Sequence, residues 1–289
     1  MNHRLIFRVL ITLVVAGASL SYPFAAAAIS WGGHDAGHVH EDMANAAGTA
    51  GTPLRIAIFV NGNGDCCAGE MATLRGFLRE QGFRVYVSPW NSLNPVSGAT
   101  SENQAGKVTA GATRNFVSQM QTYIAGLPAN AELYLIGHSF GGDSLLSFLS
   151  TYRRSRGNIR LVAVLDAVGF GGVRSTGGNV GNNVEYFFNR WQTNAPWPVN
   201  FSSSGRVACS AKTCDQAEQN ISRNPDGSAR HTKCQQYENC PGKKIIYQGL
   251  KTRIDPGQKQ TRLHHQYVPT DPLIESQLVN IIGGLMAGR

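Results

Sequence analysis

Between the apolar run Leu133-Tyr134-Leu135-Ile136 and a second apolar series, Leu145, Leu146, Phe148 and Leu149, lies Gly137-His138-Ser139-Phe140-Gly141. The first run has the length and content of a buried strand. The second has the spacing of a helix that packs back on that strand. The five residues between them must turn a strand into a helix. So tight a turn strains the backbone at its apex, and side chains two before and two after the apex would clash. Glycine therefore stands at both positions, Gly137 and Gly141. Ser139, at the apex, sits at a helix N-terminus, where free N–H groups and the helix dipole favour negative charge. A serine so placed is a candidate nucleophile. Glycine is abundant in this chain, 33 of 289 residues, so G-x-S-x-G alone carries little weight. The strand before it and the helix after it supply the context the pattern requires.

The neighbouring segments repeat the same alternation. Leu54 to Val60 reads as a strand and runs into the turn Asn61-Gly62-Asn63-Gly64-Asp65. A helix is expected from about Gly69 to Gln81, capped by Gly82, and then a strand over Phe83 to Val87 stopped by Pro89. Asn91 to Gly106 reads as loop. Val108 to Gly126 is mostly helical, with Phe116, Val117, Met120 and Ile124 on one side, and Pro128 ends it. Ile159 to Leu165 is another strand, closed by Asp166. Gly169 to Asn183 is glycine-rich loop, and Val184 to Gln192 is one more strand. Asp271 caps a final helix over Pro272 to Met286, with proline at its first position. Strands and helices alternating at these lengths imply an α/β fold, a mostly parallel central sheet with helices on both faces. Residues 193 to 263 are the least regular part. They hold four cysteines, Pro196, Pro198, Pro225 and Pro241, with one clear strand candidate, Lys244 to Gln248, and read as a disulfide-stapled excursion on the rim of the site.

Gly137 to Gly141 in this strand–helix setting resembles the nucleophile turn of the α/β-hydrolase superfamily, especially secreted lipases and esterases with a small core. The resemblance covers about residues 54 to 287. It implies a Ser–acid–His triad in that chain order. Functional groups of open α/β sheets gather at the carboxyl ends of strands. Asp166 ends the strand that follows the serine's helix, and Leu165-Asp166-Ala167-Val168-Gly169 is similar to the acid motif of lipases that carry the acid there. Asp166 is the expected acid, with Asp255 the alternative. Asp143 is too close to Ser139 on the same helix to serve. His264 and His265 lie just before the last helix, where the superfamily places its base. His265-Gln266-Tyr267-Val268-Pro269-Thr270-Asp271-Pro272 fits that pattern better than the same run shifted to His264, so His265 is favoured. His138 reads as packing. The resemblance also implies an oxyanion hole from the Phe140 N–H and an N–H of the turn after the first strand, Asn63 first and Gly62 next. The superfamily commonly has His-Gly there, and this chain has Asn61-Gly62.

The remaining features bound the setting. Arg4 and Arg8, the apolar run Val9 to Leu20 and the alanines 25–28 read as a signal peptide over residues 1–28, too short in its apolar part to span a membrane. Residues 29–53 read as a flexible segment. His34, Asp35, His38 and His40 have a spacing open to metal binding, but a solvated tail is preferred. The hydrolase domain is expected over 54–289. Six cysteines in an exported chain, Cys66, Cys67, Cys209, Cys214, Cys234 and Cys240, argue for disulfides, with pairing open. Four of them with His231 make a weaker zinc alternative. The formal charge of +8 is scattered, with no aromatic-and-basic motif for nucleic acid. The expectation is a secreted or periplasmic monomer acting on a small-molecule ester or lipid, with no cofactor, metal or stable membrane insertion. Two alternatives stay open. One is a cell-envelope acyltransferase on the same residues, the other a non-catalytic binding protein on this scaffold.

Overall fold

In the computed structural model, residues 53–62, 67–90, 112–152, 158–169, 179–194, 205–233 and 259–288 are described. The expected signal peptide, the histidine-bearing segment and the strand candidate Lys244 to Gln248 lie outside them. Six strands form one all-parallel sheet: β1 (Arg55–Val60), β2 (Arg84–Ser88), β3 (Glu132–His138), β4 (Asn158–Leu165), β6 (Val184–Trp191) and β8 (Thr213–Glu218). Their spatial order is β2-β1-β3-β4-β6-β8. The chain runs from β1 outward to β2, then returns to place β3 on the other side of β1. That reversal opens a crevice at the carboxyl ends of β1 and β3, the usual position of a site in such sheets. Two short pairs complete the strands among the described residues: β5 (Asn179–Val180) with β7 (Ala208–Cys209), and β9 (Thr232–Lys233) with β10 (Lys259–Gln260).

Period-two alternation sends each strand's side chains to opposite faces. Ile56, Ile58 and Val60 of β1 enter one core, whereas Ala57 and Phe59 enter the other. Phe187 and Phe188 of β6 divide in the same way, so these two aromatics are core on both faces. The first face is covered by α2 (Ala112–Ala125) and α3 (Phe140–Thr151), through Phe116, Met120, Ile124, Leu145 and Phe148. The second is covered by α1 (Ala72–Glu80) and α4 (Pro272–Ala287), through Leu74, Leu78, Ile274, Leu278 and Ile282. Truncating a fully buried aromatic such as Phe187 to alanine costs about 3–5 kcal/mol by transfer plus cavity.

Gly82 ends α1 in the left-handed region, at φ 77°. The Gly82 N–H donates to Arg79 O and the Phe83 N–H to Leu78 O, both at 3.0 Å, the pattern that satisfies a helix's last carbonyls. Asp271 caps α4, accepting from the Ile274 N–H at 3.4 Å. It also accepts from Gln219 Nε2, Ser222 Oγ and the Arg223 N–H, so the cap ties the last helix to segment 219–223.

One element departs from expectation. Within the supposed irregular excursion, Thr213–Glu218 adds β8 to the main sheet, parallel to β6. Its sequence, Thr-Cys-Asp-Gln-Ala-Glu, has no apolar alternation because the strand lies at the edge and is only half covered. Polar side chains hold it in place of apolar burial. The Arg190 guanidinium meets Asp215 at 2.8 and 3.0 Å, and Asn189 Nδ2 donates to Gln216 Oε1 at 3.1 Å. Arg190 also lies over the Phe188 ring, 3.9 Å from its centre, which adds a cation–π contact to the guanidinium. Cys209 and Cys214 form a disulfide between β7 and β8. Cys67 is disulfide-bonded as well. Cys66, Cys234 and Cys240 lie outside the described residues. With Cys209 and Cys214 joined to each other, the zinc alternative loses two of its ligands.

Candidate active site

Ser139 follows β3 and precedes α3 at φ 56°, ψ −124°, a combination that costs a non-glycine residue of order 1–3 kcal/mol. The surroundings hold it there. The Ser139 N–H donates to Leu165 O at 3.1 Å, and its carbonyl accepts from the Asp143 and Val168 N–H groups at 3.1 and 3.2 Å. The flanking glycines answer to specific neighbours. A Cβ on Gly137 would lie 2.7 Å from both Gly141 O and Leu145 Cδ1. On Gly141 it would lie 2.1 Å from Val60 O, inside the backbone of β1. The turn is tight because α3 starts hard against the strand next to β3.

Asp166 closes β4, fully buried, and also takes positive φ, at 45°. Aspartate tolerates that region better than most residues. Its N–H donates to Arg190 O at 2.7 Å, which sets its height against β6. His265 begins a single 3₁₀ turn, His265–Tyr267, just before α4. That segment is fastened from below. Leu263 N–H donates to Asn220 O at 3.0 Å, and Asn194 Nδ2 donates to Leu263 O at 2.8 Å.

These three residues, separate in sequence, come together. His265 Nε2 lies 2.9 Å from Ser139 Oγ, and His265 Nδ1 lies 2.7 Å from Asp166 Oδ2. A carboxylate only accepts, so Nδ1 carries the proton and Nε2 is left to accept from the serine hydroxyl. His138 Nε2–H donates to the His265 carbonyl at 2.9 Å, and the two imidazole rings lie 4.5 Å apart, tilted by 36°. His138 therefore packs, as expected, and it packs against His265 itself.

His264 is buried, and it is the Nε2 of His265 that meets Ser139 Oγ. Burial and the nearby Arg262 hold its imidazole well below the ordinary value, at about 4. Phe140 begins α3 and places its N–H at the helix start, and its ring meets buried Trp90 edge-on at 5.1 Å. Gly62 is buried after β1. Asn61 beside it donates its N–H to Ser88 O and accepts from the Gly69 N–H through Oδ1 at 2.7 Å, which pins the start of that turn. Asn63 and the alternative acid Asp255 lie outside the described residues. Among the described residues, no group of three or more His, Cys, Asp or Glu is placed to hold a metal ion. No helix among them is long and apolar enough to cross a membrane.

One residue of the site was missed by sequence reasoning. Gln192, directly after β6 and fully buried, donates Nε2–H to Asp166 Oδ2 at 2.7 Å and its backbone N–H to Oδ1 at 3.4 Å. The carboxyl-end rule that singles out Asp166 after β4 would have singled out Gln192 after β6.

This sheet order, with a strained serine between β3 and its helix and an acid at the end of β4, is an α/β-hydrolase fold. No family model matches the chain, and no curated protein matches it. Similar solved structures include an extracellular α/β-hydrolase from a Paenibacillus species, at 24% identity and a TM-score of 0.27, over 40% of this chain and 42% of that one. Polyneuridine aldehyde esterase is 18% identical with a TM-score of 0.29, over 40% of this chain and 41% of that one. Tomato methylketone synthase I is 17% identical with a TM-score of 0.29, over the same shares. The chain thus spans less than half the length of the structures it matches.

Proposed function

We propose that this chain is an exported serine hydrolase that cleaves carboxylic esters or thioesters through an acyl-enzyme. The observation that carries the reading is the continuous hydrogen-bonded line from Ser139 Oγ through His265 to Asp166, at 2.9 and 2.7 Å. Ser139 Oγ attacks the substrate carbonyl carbon while His265 Nε2 takes its proton, and Asp166 stabilises the imidazolium that results. The tetrahedral oxyanion lies against the Phe140 N–H at the start of α3 and a second N–H from the turn after β1, Asn63 or Gly62. Each such donor is worth about 10²–10³ in rate. Collapse breaks the bond to the alcohol or thiol, which leaves with the proton from Nε2. Water then attacks the acyl-serine, gives a proton to Nε2, and releases the acid with Ser139 restored. Every proton is handled by His265, so the cycle calls for no cofactor.

The substrate is read as a small ester or lipid, and export as the work of residues 1–28. A fluorophosphonate probe tests the reaction class. Wild-type protein is expected to gain one adduct at Ser139, absent in Ser139→Ala, and to hydrolyse p-nitrophenyl esters of some chain length. Folded, disulfide-intact protein that takes no label would sink the triad and favour a binding protein on this scaffold.

A further inference from the structure

We infer that Gln192 is a positioning residue for the candidate triad: it clamps both oxygens of Asp166 and so aims His265. The inference rests on the proposed serine chemistry and extends it to a residue outside the triad. Gln192 is held at the end of β6, one strand over from Asp166, and is itself fully buried. Its side-chain Nε2–H reaches Asp166 Oδ2 at 2.7 Å, the same oxygen that accepts from His265 Nδ1 at 2.7 Å. Its backbone N–H reaches the other oxygen, Oδ1, at 3.4 Å. One residue thus fixes the carboxylate plane by two points, and the imidazole follows the plane.

Asp166 needs such a clamp. Its backbone sits at φ 45°, held on β6 by its own N–H to Arg190 O. The side chain of a residue in that region is not directed by a regular strand, so partners on the neighbouring strand must set its rotamer. The geometry also fixes what the position requires. Oδ2 accepts two hydrogen bonds, from His265 Nδ1 and Gln192 Nε2, so residue 192 must be a donor with the reach of glutamine. Asparagine is one methylene too short, and a carboxylate would repel Asp166 unless it held a proton. Of the other titratable and charged groups nearby, His138 of β3 lies with its ring tilted against that of His265, and His264 precedes it with Arg262 acting on it. Arg190, beside Gln192 on β6, directs its guanidinium to Asp215.

The test compares Gln192→Met with Gln192→Glu. Methionine keeps the volume and the backbone N–H but removes the side-chain donor. It is expected to lower kcat and the rate of fluorophosphonate labelling about 10- to 100-fold, with KM unchanged within about twofold. Glutamate is expected to behave differently. Two carboxyl groups this close share one proton, whose loss is pushed to higher pH by the like charge. Gln192→Glu therefore retains a donor near neutral pH and loses it as pH rises, giving a falling alkaline limb where the wild type stays level. A side chain that merely filled space would leave the pH profile alone. Wild-type labelling by Gln192→Met, or a Gln192→Glu profile that overlays the wild type, overturns the inference. The low-field proton NMR resonance of the His265 Nδ1–H reads the same clamp without turnover. It is expected to move or vanish in Gln192→Met, and an unmoved resonance counts against the clamp even if the protein hydrolyses nothing. Failure of the wild type to label would instead fall on the proposed reaction.

Discussion

Adding one carbon at Gly141 tests how the nucleophile turn is held. In Gly141→Ala the new Cβ lands 2.1 Å from Val60 O, 2.7 Å from Val60 C and 2.7 Å from Asn61 O. A comfortable carbon–oxygen contact is about 3.3 Å or more, so about 1.2 Å must be yielded. No rotamer can yield it, because all three atoms are backbone of β1 and the residue after it, and β1 is hydrogen-bonded on both sides, to β2 and β3. Overpacking usually costs about 1–3 kcal/mol and more when nothing flexible gives way. About 3–4 kcal/mol is expected, which for a domain of this size lowers Tm by roughly 6–16 °C. Function falls further than stability. Ser139 is two residues away, and a shift of about 1 Å in a reacting group costs about 10²-fold. Gly283→Ala in α4 is the control, because a Cβ there meets nothing within 4 Å. It removes a helix-interior glycine and is expected to gain up to about 1 kcal/mol with unchanged labelling. The assay is thermal unfolding beside the fluorophosphonate labelling rate. A Gly141→Ala protein that melts within about 2 °C of the wild type and labels at its rate refutes the close-approach reasoning.

Four further outcomes are expected. Asp166→Asn should lower kcat about 10³- to 10⁴-fold, because an amide can turn its N–H toward His265 and favour the wrong tautomer; less than a tenfold loss in ester turnover would remove Asp166 from the triad. His138→Phe keeps a ring under His265 but not the donor to its carbonyl, so kcat should fall about tenfold, and a wild-type kcat would make that contact incidental. His264 is held neutral in the fold at about 4 against an ordinary 6.5, so the unfolded chain binds the extra proton first as pH falls. Stability is therefore complete above about pH 6.5 and lost by up to about 3 kcal/mol as pH falls to about 4; denaturant midpoints across that window should slope less in His264→Phe, and an equal slope would clear His264 of the effect. Cys209→Ser with Cys214→Ser opens a short loop at the sheet edge, costing about 2 kcal/mol; calorimetry should show Tm lower by about 4–8 °C with the labelling rate retained, and an unmoved Tm would mean that the polar ladder alone secures β8.

The parts of this molecule that could be read from sequence are those whose residues answer to a repeating or local rule. β1, β3 and β4 carry apolar runs, Ile56 to Val60, Leu133 to Ile136 and Leu161 to Leu165, because both faces are covered there, and the helices show their buried stripes. Gly137 and Gly141 flag the turn at Ser139, and Asp166 and His265 stand where strand ends and chain order point; the structure brings those three within hydrogen-bonding distance. What could not be read depends on partners far apart in the chain. β8 is polar because an edge strand needs no apolar face, and the side chains that seat it, Asn189 and Arg190, belong to β6. Gln192 carries no pattern of its own and becomes legible only when β4 and β6 are known to be neighbours. The choice between His264 and His265 turned on a one-residue register, and the 3₁₀ turn resolves it geometrically by facing His264 inward and His265 toward the serine.

The separation along the chain has a consequence for the order of assembly. Ser139 and His265 stand 126 positions apart, and the base is delivered by the segment just before the final helix. As the polypeptide emerges from the ribosome, β1 to β4 can pair, with the serine already strained and the acid already at its strand end. The imidazole that joins them lies 99 positions beyond the acid, and α4 must then dock on α1 to hold it. A chain stopped before residue 265 therefore carries the proposed nucleophile with nothing to take its proton. His265 thus joins Ser139 and Asp166 at the stage at which α4 closes the second core.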